Sequence, residues 1–230
     1  MSGEKSSHDT ALELLDKYNG YSDEFIELYN LKTFDQEEIN KLYNAIKTKL
    51  IDSKLFLPSE VIFHIFAAMP YNIRYSRSYW TIFKKIYEEY HPDKINIIHP
   101  IIHYFFYKEY GIIVHQKLKP LFSYFDKMHY TLEVHEENTL YRAIMEDDIN
   151  AMISFTKKKG FDKNQALCHE YYPESPLSLL ELCCYHGSLQ CFNYLRSEFK
   201  SKITMKCLHL ACLGGNKDIL TECMHERRPD

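Results

Sequence analysis

The sequence predicts an all-α chain: a helical bundle or stack of helical hairpins that continues into a short α-solenoid. Three observations carry the prediction. Apolar residues recur at i, i+3, i+4 and i+7 through most of residues 11–110, the spacing of a buried helical face, and nothing there alternates at period two as a half-buried strand would. The chain has only 7 Gly and 8 Pro among 230 residues, too few for a turn-rich all-β fold. Near the C-terminal end a helix–turn–helix pattern returns with a fixed offset.

Residues 1–10 are polar and read as a flexible N-terminus. A helical domain is expected over 11–110. Its first stripes are Leu12, Leu15 and Tyr18, then Phe25, Ile26, Leu28 and Tyr29. Asp35 stands three residues before Glu38, the spacing of a capping box in which each side chain answers the other's backbone N–H. Behind it Ile39, Leu42, Tyr43, Ile46 and Leu50 share one face. Pro58 and Ser59 open a helix expected over Glu60–Met69, with Pro70 stopping it. Tyr79, Ile82, Phe83, Ile86 and Tyr87 form a further stripe before the break at His91 and Pro92, and Ile98 to Tyr110 is a fifth apolar segment closed by Gly111. Residues 111–136 have no clean period and are expected as an irregular connector.

Residues 137–230 hold the repeat. Aligning Ser178–Gly187 with Lys206–Gly215 pairs Leu180 with Leu208, Leu182 with Leu210, Cys184 with Cys212 and Gly187 with Gly215, always 28 residues apart. A second stripe follows each glycine: Leu189, Cys191, Phe192 and Leu195 in one copy, Ile219, Leu220 and Cys223 in the other. A weaker copy runs from Leu140 to Phe155. The three copies are expected at about 138–160, 175–200 and 204–226. Each is a short helix, a tight turn and an antiparallel helix, with small residues at Ala143, Cys183, Cys184, Ala211 and Cys212 where neighbouring copies approach. One hairpin cannot bury its own apolar faces, so the copies must stack.

Leu208, His209 and Ala211 through Gly215 resemble the Thr-Pro-Leu-His-x-Ala-Ala-x-x-Gly core of ankyrin repeats, and Ser178 to Gly187 is a more divergent version. Leu179 and Cys207 replace the motif proline, Glu181 replaces one histidine, and the offset is shorter than the usual 33 residues of that repeat. Tyr141 to Asp148, Gly160 to Lys163 and Leu180 to Gly187 resemble the divergent ankyrin-repeat proteins that protozoan parasites encode in large numbers, with an N-terminal helical domain of unknown function. Most of the chain, from Lys49 onward, fits that likeness. The resemblance implies a non-catalytic module that binds a protein partner through a concave surface of inter-repeat loops and first-helix ends. The positions expected to be exposed there are Tyr185, His186, Glu181, His209, Leu213 and Tyr172, with Gly214 beside Leu213. Tyr185 is the expected anchor, because an aromatic ring gives contact area at low entropic cost. The last copy lacks a polar cap around Ile219, Leu220 and Met224, so the chain is expected either to be a shortened member of its family or to self-associate there.

Little else points to chemistry. The chain carries 28 basic and 32 acidic residues, net −4, without the local cationic excess that nucleic acid demands. Lys157, Lys158 and Lys159 end a helix, where cations complement the dipole. All seven cysteines lie beyond residue 167, an odd number, in a chain whose start has no signal-peptide pattern. A cytoplasmic, reducing setting with free thiols is the expectation. Cys207 and Cys212 have ligand-like spacing without a matching second pair, so packing is preferred to zinc. His99 and His103 are four apart like a zincin pair but lack the intervening Glu, and Pro100 sits between them. Cys184 and His186 point apart on a helix. No catalytic residue, cofactor or metal is expected, and no membrane insertion. One alternative stays open: Leu57 to Phe66, with Trp80, resembles the opening of an F-box, which would make residues 57–80 a ubiquitin-ligase adaptor surface.

Overall fold

The computed structural model describes residues 23–226, so the expectations for 1–10 and for Leu12, Leu15 and Tyr18 lie outside the described residues. The fold is all-α, with one two-stranded sheet among the described residues. The chain divides into two compact units: one comprises Arg77–Leu121 with the chain up to Met69, the other Pro70–Ser76 with the chain from Phe122 onward.

In the first unit, α1 is helical over 23–29. Asp35 caps α2 (Gln36–Ile46) by accepting the Glu37 and Glu38 backbone N–H groups at 2.9 Å each. The other half of the expected box is made differently, because the Asp35 N–H donates to Thr33 Oγ1 at 3.0 Å. A π-helical turn over Lys47–Ile51 then buries Leu50 and Ile51 together. Helix α3 (Pro58–Ala68) begins at the proline itself, whose missing N–H costs nothing at the first helical position, and the Glu60 carboxylate accepts the Leu57 N–H at 2.7 Å. Pro70 does not simply stop it: Met69–Tyr71 continues as a 3₁₀ turn. Helices α4 (Ser76–Tyr90) and α5 (Pro100–Tyr110) follow, α5 closing on Gly111 at φ +70°.

An aromatic cluster fills this unit's core. Phe66 and Trp80 both meet Phe83, at ring separations of 4.7 and 4.8 Å, and Tyr87 meets Phe106 edge-on at 5.3 Å. Such pairs add about 0.5–1.5 kcal/mol each beyond the area they bury. Tyr79 is fully buried because its hydroxyl finds the Leu28 carbonyl at 2.9 Å.

The second unit corrects the irregular connector expected at 111–136. Helix α6 (Lys119–Lys127) lies there, burying Phe122 and Phe125 one turn apart. Three helical hairpins follow: α7 (Leu140–Glu146) with α8 (Ile149–Thr156), α9 (Leu179–His186) with α10 (Leu189–Phe199), and α11 (Met205–Gly214) with α12 (Lys217–Glu226). Their turns run through left-handed residues, Asp147 (φ 58°), Gly187 (φ 70°) and Gly215 (φ 67°). Thr139, Ser178 and Thr204 cap the first helices by accepting the N–H three residues on. Helix α11 has 10 residues to the 8 of α9, so the caps do not keep the register of the turns. A short antiparallel pair, β1 (Ala166–Leu167) with β2 (Leu177–Ser178), leads into α9.

Helix α9 packs between α7 and α11. Its closest approach is at Gly214, where a Cβ would come within 2.1 Å of the Cys184 carbonyl oxygen. Polar side chains lock the hairpins together. The Asp147 carboxylate at the first turn accepts the Gln190 and Cys191 N–H groups at 3.1 and 2.9 Å, capping α10 of the next hairpin. Asn216 caps α12 and donates back to the Gly187 carbonyl at 3.3 Å.

Candidate functional site

Three of the residues expected on an exposed concave surface are buried instead. Tyr185 is 3% exposed; its hydroxyl donates to the Pro70 carbonyl at 2.9 Å and accepts the Ile73 N–H at 3.2 Å. Tyr172 is 4% exposed, its hydroxyl held between His135 Nε2 and His186 Nε2 at 2.7 Å each. Glu181 lies in the core as a bridge: one oxygen accepts the Ser178 N–H at 2.9 Å and the other the Thr204 hydroxyl at 3.0 Å, joining the second hairpin to the third. Each has its own cover: Pro70 and Ile73 over Tyr185, His135 and His186 around Tyr172, and Thr204 of the third hairpin against Glu181. No local signal in the sequence announces that Tyr185 meets a segment more than a hundred residues away. His186 is half-buried, whereas His209 and Leu213 are exposed.

The covered face is a neutral network of histidines and tyrosines. The single Tyr172 proton can serve one imidazole only, so the other imidazole must carry hydrogen on Nε2 and donate to the phenol oxygen. His169 Nδ1 accepts the Tyr171 N–H at 3.2 Å, and its ring rests on Tyr130 with centroids 4.6 Å apart. Ser76 Oγ donates to the Ile73 carbonyl at 2.6 Å and so receives the Tyr171 hydroxyl at 2.8 Å. Burial pushes His135 down to about 3, helped by His169 and Arg142, and His169 down to about 4. Burial also drives His186 well below its ordinary range, with His135 and Arg74 adding to the effect. The Tyr172 phenol is pushed up by the same desolvation. These groups find hydrogen-bond partners within the cluster, so the arrangement orders the core of this unit.

Five of the seven cysteines are core residues, and Cys168 and Cys212 are exposed. Cys183, Cys184, Cys191, Cys207 and Cys223 are fully buried, and the Cys184 thiol lies against those of Cys207 and Cys223 where α9, α11 and α12 meet. Burial pushes the Cys183 and Cys191 thiols up. Among the described residues, no group of three or more His, Cys, Asp or Glu is placed to hold a metal ion. His103, fully buried on α5 in the first unit, accepts the Val114 and His115 N–H groups through Nε2 at 2.8 and 3.3 Å, which accounts for its place in the fold.

Two surfaces of the second unit differ in character. The first hairpin carries a groove of about 500 Å³ lined by the charged side chains of Glu137, Arg142, Glu146, Asp148 and Lys158 together with Ala143, Ala151 and Phe155. On the outward side of the third hairpin, Met205, His209, Cys212 and Leu213 follow one another at helical spacing on α11 and are all exposed, with Met224 exposed on α12. In the 28-residue register, the first four correspond to Leu177, Glu181, Cys184 and Tyr185, every one buried. In the first unit, a separate groove of about 530 Å³ runs along α3 between Phe56, Phe63, His64 and Ile95.

No helix among the described residues is long and apolar enough to cross a membrane. The comparison with curated proteins found no match, nor did that with solved structures. Residues 199–230, the stretch that holds the third hairpin, match a family described as a domain of unknown function, DUF3447.

Proposed function

We propose that this chain is a non-catalytic protein-interaction module built on ankyrin-like helical hairpins, and that it meets its partner through the outward face of α11 and α12. One observation carries the reading: Met205, His209, Cys212 and Leu213 stand exposed where the preceding hairpin buries Leu177, Glu181, Cys184 and Tyr185. Exposed apolar side chains gathered on one helix, here Met205, Cys212 and Leu213, are a feature of association surfaces. The concave face that the resemblance favoured is taken by the chain's own residues 70–76 and His135. The histidines and thiols best suited to chemistry are spent on internal packing. Seven free cysteines suit a reducing, cytoplasmic setting.

Proximity labelling with the whole chain tests the reading against a Met205→Glu/Leu213→Glu variant whose thermal unfolding matches the parent. Selective loss of labelled proteins in the variant supports it, and an unchanged set removes it. The adaptor reading of residues 57–80 has its own support in Leu57, which is 64% exposed beside the α3 groove. Loss of ubiquitin-ligase subunits from a Pro58→Ala pull-down would favour that alternative.

A further inference from the structure

Three thiols meet where the second and third hairpins pack. Cys184 on α9, Cys207 on α11 and Cys223 on α12 are each fully buried, and the Cys184 thiol is in hydrogen-bond contact with the other two. The three are not equivalent. Cys207 is the third residue of α11, behind the N-cap Thr204. The Thr204 hydroxyl oxygen accepts the Cys207 N–H at 3.1 Å and lies 3.4 Å from the Cys207 sulfur, so its one hydrogen is shared between that sulfur and Glu181. A helix N-terminus favours negative charge on a sulfur placed there. Hydrogen bonding by Cys184, and after it by Thr204, holds the Cys207 thiol down at about 7 against its burial. Cys184 is pushed up by its hydrogen bonds to Cys207 and Cys223 and then by burial, so it stays the S–H partner. Thr204 is itself exposed, and local opening of the first turn of α11 therefore uncovers the Cys207 sulfur.

We propose that Cys207 is an oxidation site for hydrogen peroxide and that Cys184 resolves it into a disulfide joining α9 to α11. In the first step the Cys207 thiolate attacks one peroxide oxygen. The S–O bond forms, the O–O bond breaks, and the departing hydroxide takes up a proton and leaves as water. The sulfur has given two electrons to the peroxide and is a sulfenic acid. In the second step the Cys184 sulfur attacks that of Cys207. The S–S bond forms as the S–O bond breaks, and hydroxide leaves as water with the proton of Cys184. Two thiols and one peroxide thus give one disulfide and two waters. Sulfurs already in contact close to the ~2.05 Å of a disulfide by rotating their side chains. The other buried thiols lack the setting for the first step. Burial pushes Cys183 and Cys191 up, and Cys223 is the seventh residue of α12, away from a helix N-terminus. In a reducing setting the three thiols remain packing groups, and the second and third hairpins are stapled only when peroxide is present.

Mass-spectrometric mapping tests the pairing. The reduced full chain, kept dilute, is treated with hydrogen peroxide, blocked with N-ethylmaleimide in denaturant and digested. Peptides linked through Cys184 and Cys207 should exceed every other pairing several-fold and vanish on adding dithiothreitol. The same treatment of the chain unfolded in urea should abolish that preference. Cys184→Ala should remove the link and leave Cys207 as a sulfenic acid, captured by dimedone several-fold more than in the parent. The exposed Cys168 and Cys212 report that peroxide has acted. A link from Cys184 to Cys223 in place of Cys207, pairings no different from those of the unfolded chain, or a Cys207 that stays reduced while Cys168 and Cys212 are oxidised each overturns the assignment. If Cys184→Ala does not fold, the comparison of native with unfolded parent decides the matter alone.

Discussion

Lowering the pH from 7.5 to 5.0 should destabilise the second unit through its buried histidines, before most carboxylates begin to titrate. An unfolded histidine has a pKa near 6.5. In the folded chain His135 is depressed to about 3 and His169 to about 4, and both are more than nine-tenths buried. Between the folded and unfolded values, the unfolded state binds protons that the folded state refuses, so stability rises with pH across that window. The contribution is complete above about 6.5 and is lost as the pH falls toward the folded values. At pH 5.0 the gap to 6.5 is about 1.5 units, or roughly 2 kcal/mol for each histidine. Together they cost about 4 kcal/mol, against the 5–15 kcal/mol of a typical domain. His186 acts in the same direction. Urea unfolding followed by far-UV circular dichroism at pH 7.5, 6.0 and 5.0 measures the loss. His169→Asn, which keeps an acceptor for the Tyr171 N–H without a titrating ring, should reduce the pH-dependent part by about 2 kcal/mol. Stability that is flat across the window, or a variant with the parent's pH slope, would mean that the buried histidines do not set the pH dependence.

Gly214→Ala should destabilise the chain by about 3 kcal/mol or more, since its methyl group would meet the Cys184 carbonyl within 2.1 Å and force α9 and α11 apart; thermal unfolding will show it. Tyr185→Phe should cost about 1–3 kcal/mol by leaving the Ile73 N–H and the Pro70 carbonyl without their partner, and Tyr185→Ala about 3–5 kcal/mol, both read by urea titration. Asp147→Ala should remove the cap of α10 for about 1–2 kcal/mol, and Asp147→Asn for less; amide hydrogen exchange at Gln190 and Cys191 should localise the loss.

The elements with strong periodicity were legible in the sequence. The Ile39–Leu50 stripe, the Tyr79–Tyr87 stripe and the paired turns at Gly187 and Gly215 all correspond to observed helices and turns. Helix α6 was not, because Phe122 and Phe125 are too few to set a period in nine residues. The site was legible only in part. Repeat position identified Leu213 and His209 as exposed, but the same logic placed Tyr185, Tyr172 and Glu181 outside. Tyr185 is covered by Pro70 and Ile73, Tyr172 is held by His135 and His186, and Glu181 is tied to Thr204 of the next hairpin, partners that repeat position alone does not specify. The Asp147 cap was equally hidden, because its partners, the Gln190 and Cys191 N–H groups, lie on the neighbouring hairpin.

Site-specific photocrosslinking tests whether the exposed face of α11 and α12 is the working surface, with a benzophenone amino acid at Leu213 compared with one at Glu198, which is exposed on α10. Covalent protein adducts are expected from position 213 and none above background from 198. No adduct from 213, or equal yields from both positions, would contradict that role.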